Sequence, residues 1–255
     1  MSTENALHVE RGGDGEPTLL LLHGMGGSAA GWGRLTALLV EHWPGSWIAP
    51  DLPGHGRSER QERYTYASFA KAVAAAVPPG RPVAVLGHSL GGAVGLALAA
   101  GSYDFEVTGF VGVGIKVRWS DQDLAGAAAI ATREAPFCST REEAAERAVK
   151  AAGLARLVTL DDPEVDSLLQ RIGDSWRPAF DLKALSVGAP DMTGGLAVLA
   201  DRGIPATRAA GELDPMCPLE HLQALVSEPV ILAGLGHSPH VEDPKALLPL
   251  LKGLC

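Results

Sequence analysis

Cysteine is scarce in this chain of 255 residues, and the three present (Cys138, Cys217 and Cys255) stand far apart. An odd, scattered set builds neither a disulfide framework nor a metal-ligand spacing. No metal site is expected, and a reducing, cytoplasmic home follows. Basic residues are outnumbered too: the formal net charge is −9. A nucleic-acid partner calls for a basic face, so that class is set aside. No apolar run approaches the length that spans a bilayer, so no membrane partner is expected. The first ten residues lack a basic start and an apolar stretch, so no secretory signal is expected either. What remains is ordinary for a soluble globular protein: 46% hydrophobic and 20% charged residues. The length suits one domain with a sizeable core.

The most informative stretch runs from Pro82 to Ala100. It reads as a short apolar β-branched run, then Gly87-His88-Ser89-Leu90-Gly91, then a small-residue helical run. Strand, turn and helix around Gly-x-Ser-x-Gly make the context of a nucleophile elbow. There a serine hydroxyl projects from a sharp, strained turn. The helix starting at Leu90 aims its free N–H groups and positive dipole end at the site, which suits an oxyanion. The plainer alternative is a strand–helix turn with Ser89 as an ordinary N-cap.

Taken in order, the chain alternates. An edge strand is read at 6–10, then a buried strand at 17–22. It ends in the glycine-rich loop His23-Gly24-Met25-Gly26-Gly27-Ser28, which carries neither Gly-Lys-Ser/Thr nor Gly-x-Gly-x-x-Gly. The better reading is an oxyanion loop, with the Met25 N–H facing the nucleophile. A helix at 29–43 and a strand at 46–49 follow. Asp51, His55 and Arg57 lie in a loop dense in turn formers, where a structural role for the aspartate and arginine is expected. A helix at 66–77, the elbow, and a strand at 107–115 complete a strand–helix rhythm that implies a mostly parallel sheet with helices on both faces. Ligands in such sheets bind beyond the carboxyl ends of the strands.

Between residues 116 and 200 the rhythm lapses. Helices are read at 121–133, 140–152, 162–172 and 191–201, with Thr140 and Glu143 as a capping box. This span is expected to be a helical lid inserted between the core segments 1–115 and 201–255. Trp119, Phe137 and Trp176, with Phe180, are candidates for an apolar underside facing a small-molecule substrate. Alternation then resumes with a strand at 204–210, a helix at 218–227, a strand at 229–232 and a closing helix at 245–252. Asp214 and His237 each fall on a loop that follows a strand.

Serine, acid and histidine in that chain order, each at a strand end, match the α/β-hydrolase triad. The sequence resembles α/β-hydrolase-fold proteins of the small, lid-bearing esterase type. The matching pieces are His23–Gly27, Asp51–Ser58, Gly87–Gly92, Gly211–Asp214 and Gly236-His237, which cover nearly all of the chain but the lid. The resemblance implies that Ser89 is the nucleophile, His237 the general base and then acid, and Asp214 the residue that orients the imidazole. The N–H groups of Met25 and Leu90 then form the oxyanion hole, and no cofactor is called for. His88 and His240 compete for the base role, though an extended backbone should point His88 away from Ser89. Asp191 and Asp243 are fallback acids. A serine at the elbow argues against the dehalogenase and epoxide-hydrolase branches, which use a carboxylate there. Carboxylic ester hydrolysis leads. Thioester, lactone and carbon–carbon bond hydrolysis, perhydrolysis, and a noncatalytic ligand receptor remain open beside it, as does oligomeric state.

Overall fold

The computed structural model describes residues 7–254. In chain order the strands and helices are β1 (Val9–Gly12), β2 (Thr18–Leu22), α1 (Gly33–His42), β3 (Trp47–Pro50), α2 (Tyr66–Ala76), β4 (Pro82–His88), α3 (Leu90–Ala99) and β5 (Glu106–Val113). Then come α4 (Asp121–Ala131), α5 (Arg141–Ala151), α6 (Pro163–Asp166), β6 (Leu169–Ile172), β7 (Ser175–Pro178) and α7 (Met192–Asp201). The chain closes with β8 (Ala206–Gly211), α8 (Leu219–Leu225), β9 (Val230–Leu232), α9 (Pro239–Glu242) and α10 (Leu248–Leu251). A seven-stranded sheet has the order β1-β3-β2-β4-β5-β8-β9. Every neighbouring pair is parallel except β1 with β3.

The period of two along each central strand splits the core into two layers. Leu20, Leu22, Val83, Val85 and Phe110 face α2, α3 and α7, where they meet Phe69, Val73, Val94, Leu98 and Leu199. Leu19, Leu21, Ala84, Leu86 and Val111 face the other way, onto Trp32, Leu35 and Leu39 and the C-terminal Leu247, Leu250 and Leu251. Continuous burial of β2 is why its five residues read as an unbroken apolar run.

Four local expectations are corrected. The first strand lies at 9–12, not 6–10, and residue 6 lies outside the described residues, as does Cys255. The helix expected at 162–172 stops at Asp166, and β6 and β7 pair as an antiparallel hairpin. Gly173, at φ +60°, takes the first position of its two-residue turn, which Asp174 completes. The expected closing helix is broken into short turns because Pro249, inside it, lacks the N–H that a continuous helix needs. The span 116–200 is therefore not purely helical, and α7, assigned to the lid on sequence, packs against α3 and β8.

The inserted span is fastened to the core at named points. Ser28 Oγ and Ser167 Oγ share a buried hydrogen bond of 2.6 Å. Arg34 pairs with Glu164 at 3.3 Å, and Tyr64 donates to Asp181 at 2.8 Å. Among the described residues no helix is long and apolar enough to cross a membrane.

Candidate active site

β4 ends at His88, and Ser89 follows at φ 50°, ψ −115° before α3 begins. A non-glycine residue holds that conformation only when its surroundings over-determine it. Here they do. An added Cβ on Gly87 would strike the backbone of Gly91, and one on Gly91 would strike the carbonyls of Leu22 and His23. Strand and helix meet at a distance only glycine allows. The Ser89 N–H is tied to the Val113 carbonyl at 2.8 Å. An ordinary N-cap serine spends its hydroxyl on the first helical turn, and Ser89 makes no such bond. That separates it from the plain capping serine the sequence also allowed.

Asp214 lies just past β8, with its side chain fully buried. Its Oδ1 accepts the N–H groups of Met216 (2.8 Å) and Cys217 (3.2 Å). Both oxygens also face His237 Nδ1, at 3.0 and 2.9 Å. A carboxylate held by backbone donors and turned onto one ring nitrogen fixes the imidazole plane and leaves Nε2 for other work. Gly114, just past β5, sits under this pair at φ +63°. An added Cβ there would stand 3.1 Å from Asp214 Oδ2 and 3.4 Å from His237 Nδ1.

Ser89 and His237 line one cavity of about 340 Å³ together with Gly24, Met25 and Leu90. Its remaining wall is mostly apolar, from Tyr66, Ile115, Trp119, Leu185, Val187 and Met216, with Lys116 and Lys150 also present. Lys116 is matched by Asp123 at 2.9 Å and lies 4.9 Å from the Trp119 ring centre. Trp119 thus lines the cavity. Phe137 and Trp176 are not among the lining residues: Phe137 is 55% exposed and packs on Arg177, while Trp176 exchanges backbone bonds with Cys138. The hairpin that replaced the expected helix carries Trp176 away from the cavity.

The competing histidines have other surroundings. His88, His240, His23 and His55 are all buried. Desolvation pushes His23 down to about 4 and His55 and His240 down to about 3, and drives His88 well below the usual imidazole range, so all four are neutral at pH 7. His23 accepts the Leu52 N–H at Nε2, and His55 Nδ1 donates to the Pro53 carbonyl. Asp51 is structural, as expected: it accepts from Ala29 N–H (2.6 Å) and Arg57 N–H (2.9 Å). Of the fallback acids, Asp191 caps α7 and Asp243 accepts from Lys245 N–H. Among the described residues no group of three or more His, Cys, Asp or Glu is placed to hold a metal ion.

Sequence reasoning passed over Gly114, Lys150 and Glu242. Gly114 carried a signal, a glycine directly after a buried strand, where a close approach or a positive φ is common. Lys150 carried none, because only the fold brings the end of α5 to this cavity.

Comparison with known proteins agrees with the architecture. A model of the alpha/beta hydrolase family matches residues 19–250. A pimeloyl-[acyl-carrier protein] methyl ester esterase of Sodalis glossinidius is 27% identical over 95% of this chain and 94% of its own length. Protein phosphatase methylesterase 1 of Mus musculus is 36% identical over 38% of this chain and 27% of its own length. Among solved structures, a thioesterase domain from the curacin biosynthetic pathway superposes with a TM-score of 0.78 at 21% identity, covering 99% of this chain and 97% of its own. An E-2-(acetamidomethylene)succinate hydrolase does so with 0.76 at 18% identity, covering 99% and 96%.

Proposed function

From a chain that belongs to the alpha/beta hydrolase family, we propose a serine hydrolase that cleaves carboxylic esters through an acyl-enzyme on Ser89. The observation that carries this reading is the buried Asp214 carboxylate bonded at 2.9 Å to Nδ1 of His237, a residue that lines the same cavity as a serine held at φ 50° with no capping bond.

The roles follow from the chemistry. A serine hydroxyl is a weak nucleophile until a base takes its proton. His237 Nε2 takes it as Ser89 Oγ bonds to the ester carbonyl carbon, and Asp214 stabilises the resulting imidazolium. The negative charge on the former carbonyl oxygen is met by the N–H groups of Met25 and Leu90. On collapse, the C–O bond to the alcohol breaks and the alcohol leaves with the proton from His237. Water repeats the sequence against the acyl-serine, giving the carboxylic acid and free Ser89. The cavity of about 340 Å³, with its mostly apolar wall, suits a small acyl or alcohol group with few polar anchors. Two relatives, one over most of the chain and one over part of it, are a methyl ester esterase and a methylesterase by name. Their names support an ester over a thioester, a lactone or a carbon–carbon bond. We further propose that the span 116–200, apart from α7, is the lid over this cavity, and that a small molecule is the partner.

The test is hydrolysis of p-nitrophenyl butyrate by wild type and Ser89→Ala, with a matched thioester and lactone in parallel. Turnover by wild type and none above background by the variant is expected. Equal turnover by both proteins overturns the reading. Preference for the thioester moves the substrate class and keeps the mechanism.

A further inference from the structure

Asp214 sets the orientation of the His237 ring, but other residues hold the backbone from which that ring hangs. The Gly236 N–H donates to Glu242 Oε2 at 2.6 Å, and the Ser238 N–H donates to Glu242 Oε1 at 2.8 Å. One carboxylate thus holds the N–H groups of the two residues that flank His237. The carbonyl of His237 itself accepts a hydrogen bond from His88 Nε2 at 2.7 Å. A carbonyl can only accept, so Nε2 of His88 carries the proton and Nδ1 does not.

The two groups reach the loop from different directions. Glu242 closes the short α9, five residues on, and its carboxylate folds back toward Gly236, where an added Cβ would stand 3.2 Å from both oxygens. His88 is the last residue of β4 and the direct neighbour of Ser89. Its Nδ1 lies where an added Cβ on Gly24 would stand, at 2.7 Å, so the ring also backs the loop that carries Met25. Its centre is 4.8 Å from the His237 ring and 4.5 Å from the His240 ring. The elbow therefore touches the loop of the base through residue 88 as well as facing it through residue 89.

We propose that His88 and Glu242 are positioning residues that clamp the backbone of His237 and so set the base against Ser89. The proposal rests on the reading of His237 as general base. Proton transfer needs heavy atoms within about 2.6–3.2 Å, and a misplacement of about 1 Å costs about 100-fold in rate. The loop contains Gly234 and Gly236, and glycine resists displacement least of all residues. Bonds to an ionised carboxylate are the stronger kind, and the His88 bond is made by a ring that is 3% exposed.

The test compares His88→Gln with His88→Asn. The glutamine amide nitrogen reaches roughly where Nε2 stands, whereas the shorter asparagine ends near Nδ1 and misses the carbonyl. With p-nitrophenyl butyrate at pH 7.5, H88Q is expected to keep kcat within about threefold. H88N is expected to lose about 10- to 100-fold in kcat with KM within about twofold. Glu242→Gln, which keeps one acceptor of two, is expected to show the same kcat-only loss. A second measurement needs no variant: nitrogen-15 NMR of wild-type imidazoles at pH 7 should find His88 neutral with its proton on Nε2. Equal kcat in H88Q and H88N, a loss carried by KM, or a proton on Nδ1 each overturns the proposal. If neither variant folds, the NMR result decides. A wild-type protein without activity on any ester sinks the hydrolase reading instead, and that outcome is separate from these.

Discussion

Lowering the pH from 7 to 5 should strongly destabilise this protein well before its carboxylates titrate, and the cause is its buried imidazoles. His23, His55, His88 and His240 are each at most 6% exposed. Burial leaves His23 titrating at about 4 and His55 and His240 at about 3, with His88 moved in the same direction. In the unfolded chain a histidine takes its proton near 6.5. Between these values the unfolded state binds more protons than the folded one, so stability falls as pH falls. At pH 7 the effect is small, and it vanishes above about pH 8, where both states are neutral at these positions. At pH 5, about 1.5 units below the free value, each of the three groups with a stated value costs about 2 kcal/mol, at about 1.4 kcal/mol per unit. Together they remove about 6 kcal/mol, comparable to the whole stability of many domains. The assay is urea unfolding followed by circular dichroism at half-unit steps from pH 7 to 5. The slope of stability against pH should approach an uptake of about three or more protons on unfolding. His55→Phe, which keeps a ring against Phe180 at a centroid distance of 4.9 Å, should lower that uptake by about one. A wild-type slope below one proton across this window refutes the reasoning, since it means these rings are hydrated or already charged in the folded protein.

Two further outcomes follow from the site. Asp214→Asn keeps the shape but not the charge that stabilises the imidazolium, and its amide can turn a donor toward His237 Nδ1; kcat should fall by about 10³- to 10⁴-fold, read in steady-state hydrolysis of p-nitrophenyl butyrate, and a loss below tenfold counts against Asp214 as the orienting acid. Gly114→Ala adds a Cβ 3.1 Å from Asp214 Oδ2 at a φ of +63°; it should destabilise by about 1–2 kcal/mol in urea unfolding at pH 7.5 and lower kcat as well, and an unchanged kcat would mean that the Asp214–His237 pair does not need this close support.

Much of the scaffold was legible because its signals are local. A five-residue apolar run bounded by turn formers is what a strand buried on both faces looks like, and β2 is such a strand. The elbow is legible through Gly87, Ser89 and Gly91, and the two glycines are dictated by how near α3 comes to β2 and β4. Asp214 and His237 could be picked out by their place after strands. The hairpin at 169–178 is less legible although Gly173-Asp174 is a turn signal, because Asp162-Pro163 is a strong helix start and says nothing of where the helix ends. Nothing local in the sequence separates Phe137 and Trp176, which do not line the cavity, from Trp119, which does, because that depends on how the inserted span folds.

The order of residues by itself determined the layers, the parallel sheet and three chemically capable side chains, because propensity, periodicity and turn chemistry act over a few positions. It could not determine that Glu242 reaches back to both neighbours of His237, that His88 bonds the carbonyl 149 positions away, or that Gly114 lies beneath the Asp214–His237 pair. Those relations depend on where separate loops come to rest once the two apolar layers have packed, and only the folded chain brings their atoms together.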